Sequence, residues 1–126
     1  MDRRQSGYRA LVVEDDGAIL NLVKIVLERE NFTVEGVKRA GAAIELLSAV
    51  AYDLLIVDLI LPDIGGEELL DYLELHQPRA LRRVIVTTAS PAKMSCEFLQ
   101  RICRLLAKPF DIHELVLIAR ECADPA

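Results

Sequence analysis

Residues 54–62 read LLIVDLILP, and Asp58 is the only charged side chain in that apolar run. Burying an unpartnered polar group costs roughly 2–7 kcal/mol, and a bare charge costs more. Either the run is exposed, therefore, or Asp58 lies at the edge of a core where something stabilises its charge. Other residues that could share a site with it are scattered along the chain: Glu14 and Asp15 in LVVEDD, Thr87 and Thr88 in VIVTTAS, and Lys108 in AKPF. Two carboxylates about 4 Å apart repel by roughly 4 kcal/mol at an effective dielectric near 20. Gathered together, Glu14, Asp15 and Asp58 would need cations. A hard divalent ion suits oxygen ligands, and Mg²⁺ takes one or two carboxylates plus a phosphate while keeping several waters. Three carboxylates carry −3, and Lys108 with Mg²⁺ carries +3. A carboxylate is also a workable nucleophile for phosphoryl transfer, and that transfer depends on positioning and charge neutralisation, which a metal, a lysine and a hydroxyl supply.

The elements that position these residues follow from apolar periodicity. Short aliphatic or β-branched runs at 8–14, 32–37, 53–58, 81–87 and 104–107 read as strands. Helical patterns fill the intervals. Residues 16–30 align Ile19, Val23, Val26 and Leu27; residues 40–50 align Ala43, Ile44 and Leu47; residues 66–76 align Leu69, Leu70 and Leu73. A fourth helix is expected over 90–103, with Ser90 as N-cap and Pro91 at the first helical position. A fifth starts at Asp111, three residues before Glu114, in the manner of a capping box. Strict alternation of five strands and five helices implies an α/β fold: one five-stranded parallel sheet with helices on both faces. Continuous apolar runs such as LLIV and VIV suit strands covered on both sides.

In such sheets ligands bind outside the carboxyl ends of the strands. Asp58 ends the third strand, Glu14 and Asp15 follow the first, Thr87 and Thr88 end the fourth, and Lys108 follows the fifth. All are expected at one rim. Adjacent strand side chains point to opposite faces, so only one of Thr87 and Thr88 is expected to face Asp58.

In these four motifs, from Tyr8 to about Cys122, the chain resembles the receiver domain of two-component response regulators, a (βα)5 flavodoxin-like fold. The resemblance rests on LVVEDD, LLIVDLILPDIGG, VIVTTAS and AKPF in family order and near family spacing. It implies that Asp58 is the phosphoacceptor, charged by the phosphohistidine of a sensor histidine kinase or a histidine phosphotransfer protein. Asp15 would ligate Mg²⁺ directly, Glu14 through a metal-bound water, and Ile60 through its backbone carbonyl. Thr88 would hydrogen-bond a phosphoryl oxygen and Lys108 would pair with another. The Lys108–Pro109 bond would be the family's cis peptide. The resemblance further implies a protein that is no turnover enzyme, with a downstream effector as partner and a homodimer formed on phosphorylation.

The chain departs from the pattern on one side. Leu105 stands three residues before Lys108, where the family usually has an aromatic residue. The stretch between Thr88 and Lys108 is about two residues short of the family's, and ICR replaces the common Gly-Ala-Asp before the fifth strand. These positions belong to the family's usual output face. Two rival readings are an Mg²⁺-dependent aspartyl phosphohydrolase and a degenerate receiver that only binds partners. The first needs an acid two residues after the nucleophile, where Ile60 stands; retention of all five site residues argues against the second.

Plainer roles account for other residues. Asp16 reads as a helix N-cap, His113 and His76 as surface histidines, and Gly65–Gly66 as a turn, since no G-x-x-x-x-G-K-[ST] pattern follows. At 126 residues and 52% hydrophobic content the chain fits one domain, 1–126. A net charge of −5 argues against unaided nucleic-acid binding. No apolar run reaches the roughly 20 residues that span a bilayer, and MDRRQSGYRA does not read as a signal peptide. A cytoplasmic location follows as an expectation. Cys96, Cys103 and Cys122 are then expected to be free thiols, with Cys96 and Cys103 able to share a helix face. The absence of an effector domain after residue 126 fits a stand-alone regulator or a receiver cut from a longer chain.

Overall fold

The computed structural model describes residues 7–123. Residues 1–6, which carry most of the expectation about a signal peptide, lie outside the described residues. Five strands, β1 (Tyr8–Val13), β2 (Phe32–Val37), β3 (Leu54–Asp58), β4 (Val84–Thr88) and β5 (Arg104–Ala107), form one sheet in the order β2-β1-β3-β4-β5. Every neighbouring pair is parallel. The helices are α1 (Gly17–Arg29), α2 (Ala40–Ala49), α3 (Gly66–His76), α4 (Cys96–Arg101) and α5 (Ile112–Ala123).

Strand alternation divides the core into two layers. Leu11, Val13, Leu55, Val57, Val84 and Val86 face α2 and α3, joined by Phe98 of α4. Ala10, Val12, Leu54, Ile56, Ile85 and Leu106 face the opposite way and meet Val23 and Leu27 of α1 with Leu115 and Ala119 of α5. Because β3 is covered on both faces, all five of its residues are buried, which explains its unbroken apolar run. Asp16 caps α1 by accepting from the N–H groups of Ala18 and Ile19, and Asp111 likewise accepts from His113 and Glu114 at the start of α5.

Three expectations need correction. Residues 81–83 belong to a 3₁₀ turn over Pro78–Arg83, so β4 starts only at Val84. Leu81 is buried there, and its apolar character made the strand look longer than it is. The helix expected over 90–103 is broken. Pro91–Lys93 forms a single 3₁₀ turn, and α4 begins at Cys96 behind Ser95, whose hydroxyl accepts from the Phe98 N–H. Ser95 outcompetes Ser90 because the chain between them is extended at Met94. Cys103 consequently lies outside the helix at the head of β5, and it forms a disulfide with Cys122 in the last turn of α5, Cα atoms 6.0 Å apart. The packing of α5 behind β5 brings together two cysteines separated by 19 positions, so only Cys96 remains a free thiol.

Candidate functional site

Asp58 is 7% exposed and ends β3 at the carboxyl rim of the sheet. Its Oδ1 accepts from the Ile60 N–H at 3.2 Å, and its Oδ2 lies 3.3 Å from Lys108 Nζ. Glu14, 4% exposed, directly follows β1; its Oε1 takes a 2.6 Å bond from Lys108 Nζ, and its Oε2 accepts from the Asp16 N–H. Asp15 is exposed and makes no hydrogen bond or ion pair among the described residues. One ligand oxygen each from Glu14, Asp15 and Asp58 lie within 4.8 Å of one another. The rim thus gathers Glu14, Asp15, Asp58 and Lys108 from three strands.

The local electrostatics reflect that crowding. Burial pushes the Glu14 carboxyl above its ordinary value; the bonds from Lys108 and the Asp16 N–H oppose the shift, and the Asp58 charge adds to it. Burial pulls the Lys108 ammonium down, but the bond and charge of Glu14, with Asp58, outweigh it and hold the lysine above its usual range. One ammonium against three carboxylates leaves a formal −2. Three hard oxygen donors with that deficit fit a divalent cation.

The turns around Asp58 are built for close approach. The Gly66 N–H donates to the Leu59 carbonyl at 2.8 Å, and a Cβ at Gly66 would stand 2.7 Å from the Asp58 carbonyl oxygen. Only glycine lets α3 begin against the backbone that follows the acid. Sequence reasoning assigned Gly66 to a turn and did not see this contact. It also missed Asp63. The N-cap of α2, Arg39, offers no capping oxygen, and Asp63 supplies two from the β3–α3 loop, accepting from the Ala40 and Gly41 N–H groups at 3.0 and 2.9 Å. Those bonds, the one to Gly41 foremost, hold the Asp63 carboxyl at about 2. The one available signal was a helix start with no Ser, Thr, Asp or Asn before it.

Two site expectations gain geometry without a contact to the acid. Thr88 ends β4 buried, its hydroxyl accepting from the Ser90 N–H and its carbonyl from the Lys108 N–H. Thr87, equally buried, is the register partner of Asp58 and falls on the same layer as Ile85. Alternation alone therefore does not single out Thr88. Ile60 is 74% exposed and carries no acid. The Lys108–Pro109 bond is cis. Leu105 is half-buried against the α2–α3 layer, opposite Val86. His76 and His113 are both exposed.

A parallel five-stranded sheet with an acidic rim defines a class, and comparison with known proteins gives the family. Residues 10–120 match the response regulator receiver domain, and the chain belongs to that family. It is 31% identical over 118 residues to the transcriptional regulatory protein TrcR of Mycobacterium tuberculosis, covering 88% of this chain and 43% of TrcR. It is 30% identical over 113 residues to the response regulator ArlR of Staphylococcus epidermidis, covering 84% of this chain and 48% of ArlR. The chain thus spans less than half the length of these relatives. A sensor protein from Polaromonas sp. JS666, solved by crystallography, superposes with a TM-score of 0.82 at 30% identity, covering 94% of this chain and 97% of that one.

Proposed function

We propose that this receiver domain accepts a phosphoryl group on Asp58 and uses the acyl phosphate to switch its contacts with partners. The observation that carries the reading is the unequal charge at the rim: Glu14, Asp15 and Asp58 together, with Lys108 alone bonded to two of them. An Asp58 oxygen would attack the phosphorus of a phosphohistidine on a sensor histidine kinase or a histidine phosphotransfer protein. The new O–P bond forms as the P–N bond breaks, and the imidazole nitrogen keeps the electron pair. Lys108, already within 3.3 Å of Asp58, would pair with a phosphoryl oxygen. The Ile60 N–H fixes the orientation of the Asp58 carboxylate before transfer, and Thr88 would hydrogen-bond another phosphoryl oxygen.

Asp15, Asp58 and the Ile60 carbonyl would hold Mg²⁺, with Glu14 reaching it through water. Bound there, the ion would supply charge neutralisation for the phosphoryl oxygens. Among the described residues the Asp15 carboxylate has no hydrogen bond or ion pair, which leaves it available as a ligand. The domain would catalyse only its own phosphorylation and dephosphorylation. Among the described residues no helix is long and apolar enough to cross a membrane, which is consistent with action in the cytoplasm, on a downstream effector or as a phosphorylation-induced homodimer.

Chemical trapping tests the assignment. After incubation with acetyl phosphate and Mg²⁺, borohydride should reduce the acyl phosphate, and peptide mapping should find homoserine at position 58. Homoserine at Asp15 or another aspartate, or 5-hydroxynorvaline at Glu14 or another glutamate, with position 58 unchanged, would move the acceptor.

A further inference from the structure

The Cys103–Cys122 bridge lies away from the acidic rim, at the other end of β5. β5 is an edge strand of four residues, paired only with β4, and Leu106 is its single buried residue. Its other ties to α5 are the packing of Leu106 in the layer with Leu115 and Ala119, and the Arg104–Glu121 ion pair, whose side chains are both exposed. Exposed ion pairs contribute little. The disulfide is thus the strongest link between the edge strand and the helix behind it.

The two sulfurs stand in unlike surroundings. Cys122 is fully buried, whereas Cys103 is half-buried at the head of the strand, its N–H bonded to the Val84 carbonyl. Of the two residues Cys103 is the more exposed, so an incoming thiolate would attack there with Cys122 as the departing sulfur. The reduced pair also has a place to reside. Cys122 sits among Leu115, Ala119 and Ala123, and a thiol behaves there as a small apolar group. Opening the bridge therefore need not unfold the domain.

We infer that Cys103 and Cys122 form a reversible dithiol–disulfide site whose oxidation state sets how firmly β5 and α5 are held together. The reductant is a small-molecule thiol of the glutathione class. Its thiolate attacks Cys103 Sγ, the S–S bond breaks, and Cys122 leaves as a thiolate that takes up a proton. A second glutathione thiolate then attacks the glutathione sulfur of that mixed disulfide, and Cys103 leaves as a thiolate that takes up a proton, so two electrons and two protons enter the chain and one oxidised glutathione is released. Oxidised glutathione closes the bridge by the reverse steps. Disulfides in reducing compartments are commonly redox-sensing rather than permanent. Asp58 plays no part in this chemistry, so the inference stands apart from the phosphoryl reading.

The test uses the full chain carrying Cys96→Ser, equilibrated in graded mixtures of reduced and oxidised glutathione, quenched in acid and alkylated in denaturant. Intact mass should pass between two species, with no alkylated thiol and with two, across the series. Amides at 104–107 and 115–123 should exchange roughly 100- to 1000-fold faster in the reduced form, the protection that closing a loop of this length adds. Two alkylated thiols at every ratio, no alkylated thiol at every ratio, a stable single-glutathione adduct, or equal exchange in both forms would each overturn the inference. Cys103 and Cys122 are left in place, and the one substitution, Cys96→Ser, falls on an exposed side chain.

Discussion

Strand β3 is flanked by two buried aspartates, and they behave differently. Asp53, 5% exposed, precedes the strand; Asp58, 7% exposed, ends it. Asp53 is satisfied: its Oδ2 accepts from the Arg9 N–H at 2.9 Å, its own N–H donates to the Arg9 carbonyl, and Arg83 lies 3.6 Å from Oδ1. Asp58 shares one lysine with Glu14 and has Asp15 nearby. Residue type and burial are the same at both ends. What differs is the balance of partners, and a surplus of like charge marks the end prepared for a cation and a phosphoryl group.

Breaking the turn behind Asp58 should have the largest effect. Gly66→Ala puts a Cβ against the Asp58 carbonyl and the Leu59 backbone, none of which is a flexible side chain that can swing away. A loss of about 1–3 kcal/mol is expected from such overpacking, read by urea denaturation, together with slower phosphoryl acceptance. Unchanged stability would mean the loop relaxes freely.

Asp53→Ala should follow closely. Removing a buried acceptor leaves the Arg9 N–H unsatisfied, at a cost of about 1–3 kcal/mol, while phosphoryl acceptance per folded molecule stays normal. If Asp53→Ala instead weakens acceptance without loss of stability, the contrast between the two ends fails.

Metal should act at one end only. Mg²⁺ binding to the folded chain raises Tm by linkage, and Asp15→Ala should lose most of that gain, whereas Asp53→Ala should keep it. A thermal shift undiminished in Asp15→Ala would remove Asp15 from the ligand set.

The smallest effect concerns acid. Asp63 has a folded pKa of about 2 against an ordinary value of 3.8. Its folded value is depressed, so its stabilising contribution is fully present above the unfolded pKa and is lost as pH falls from about 4 towards 2. Asp63→Asn should flatten the stability profile in that window by lowering stability near pH 7 towards the value wild type reaches in acid. A profile as steep as wild type would assign the acid sensitivity elsewhere.

Much of this contrast was legible in the sequence, and the reasons are local. Asp58 stood out because a buried strand otherwise admits only apolar residues, and β-α alternation placed Glu14, Asp15 and Lys108 at its rim. The β4 start and the 90–103 helix misled because Leu81 serves a 3₁₀ turn and Ser95 caps better than Ser90. Asp63 escaped notice because its partners lie 22 and 23 positions away, at a helix whose own N-cap is an arginine. The disulfide was hidden for a similar reason: only the packing of α5 on β5 brings Cys103 to Cys122. Contacts across elements carry no periodicity that a single sequence displays.

The most direct test of the central claim is intact-mass measurement of phosphoryl incorporation from acetyl phosphate into wild type, Asp58→Asn and Asp53→Asn, each with Mg²⁺ and with EDTA. The account predicts one phosphoryl group on wild type and on Asp53→Asn, only with Mg²⁺, and none on Asp58→Asn. Incorporation into Asp58→Asn at the wild-type rate, or equal incorporation in EDTA, would contradict it.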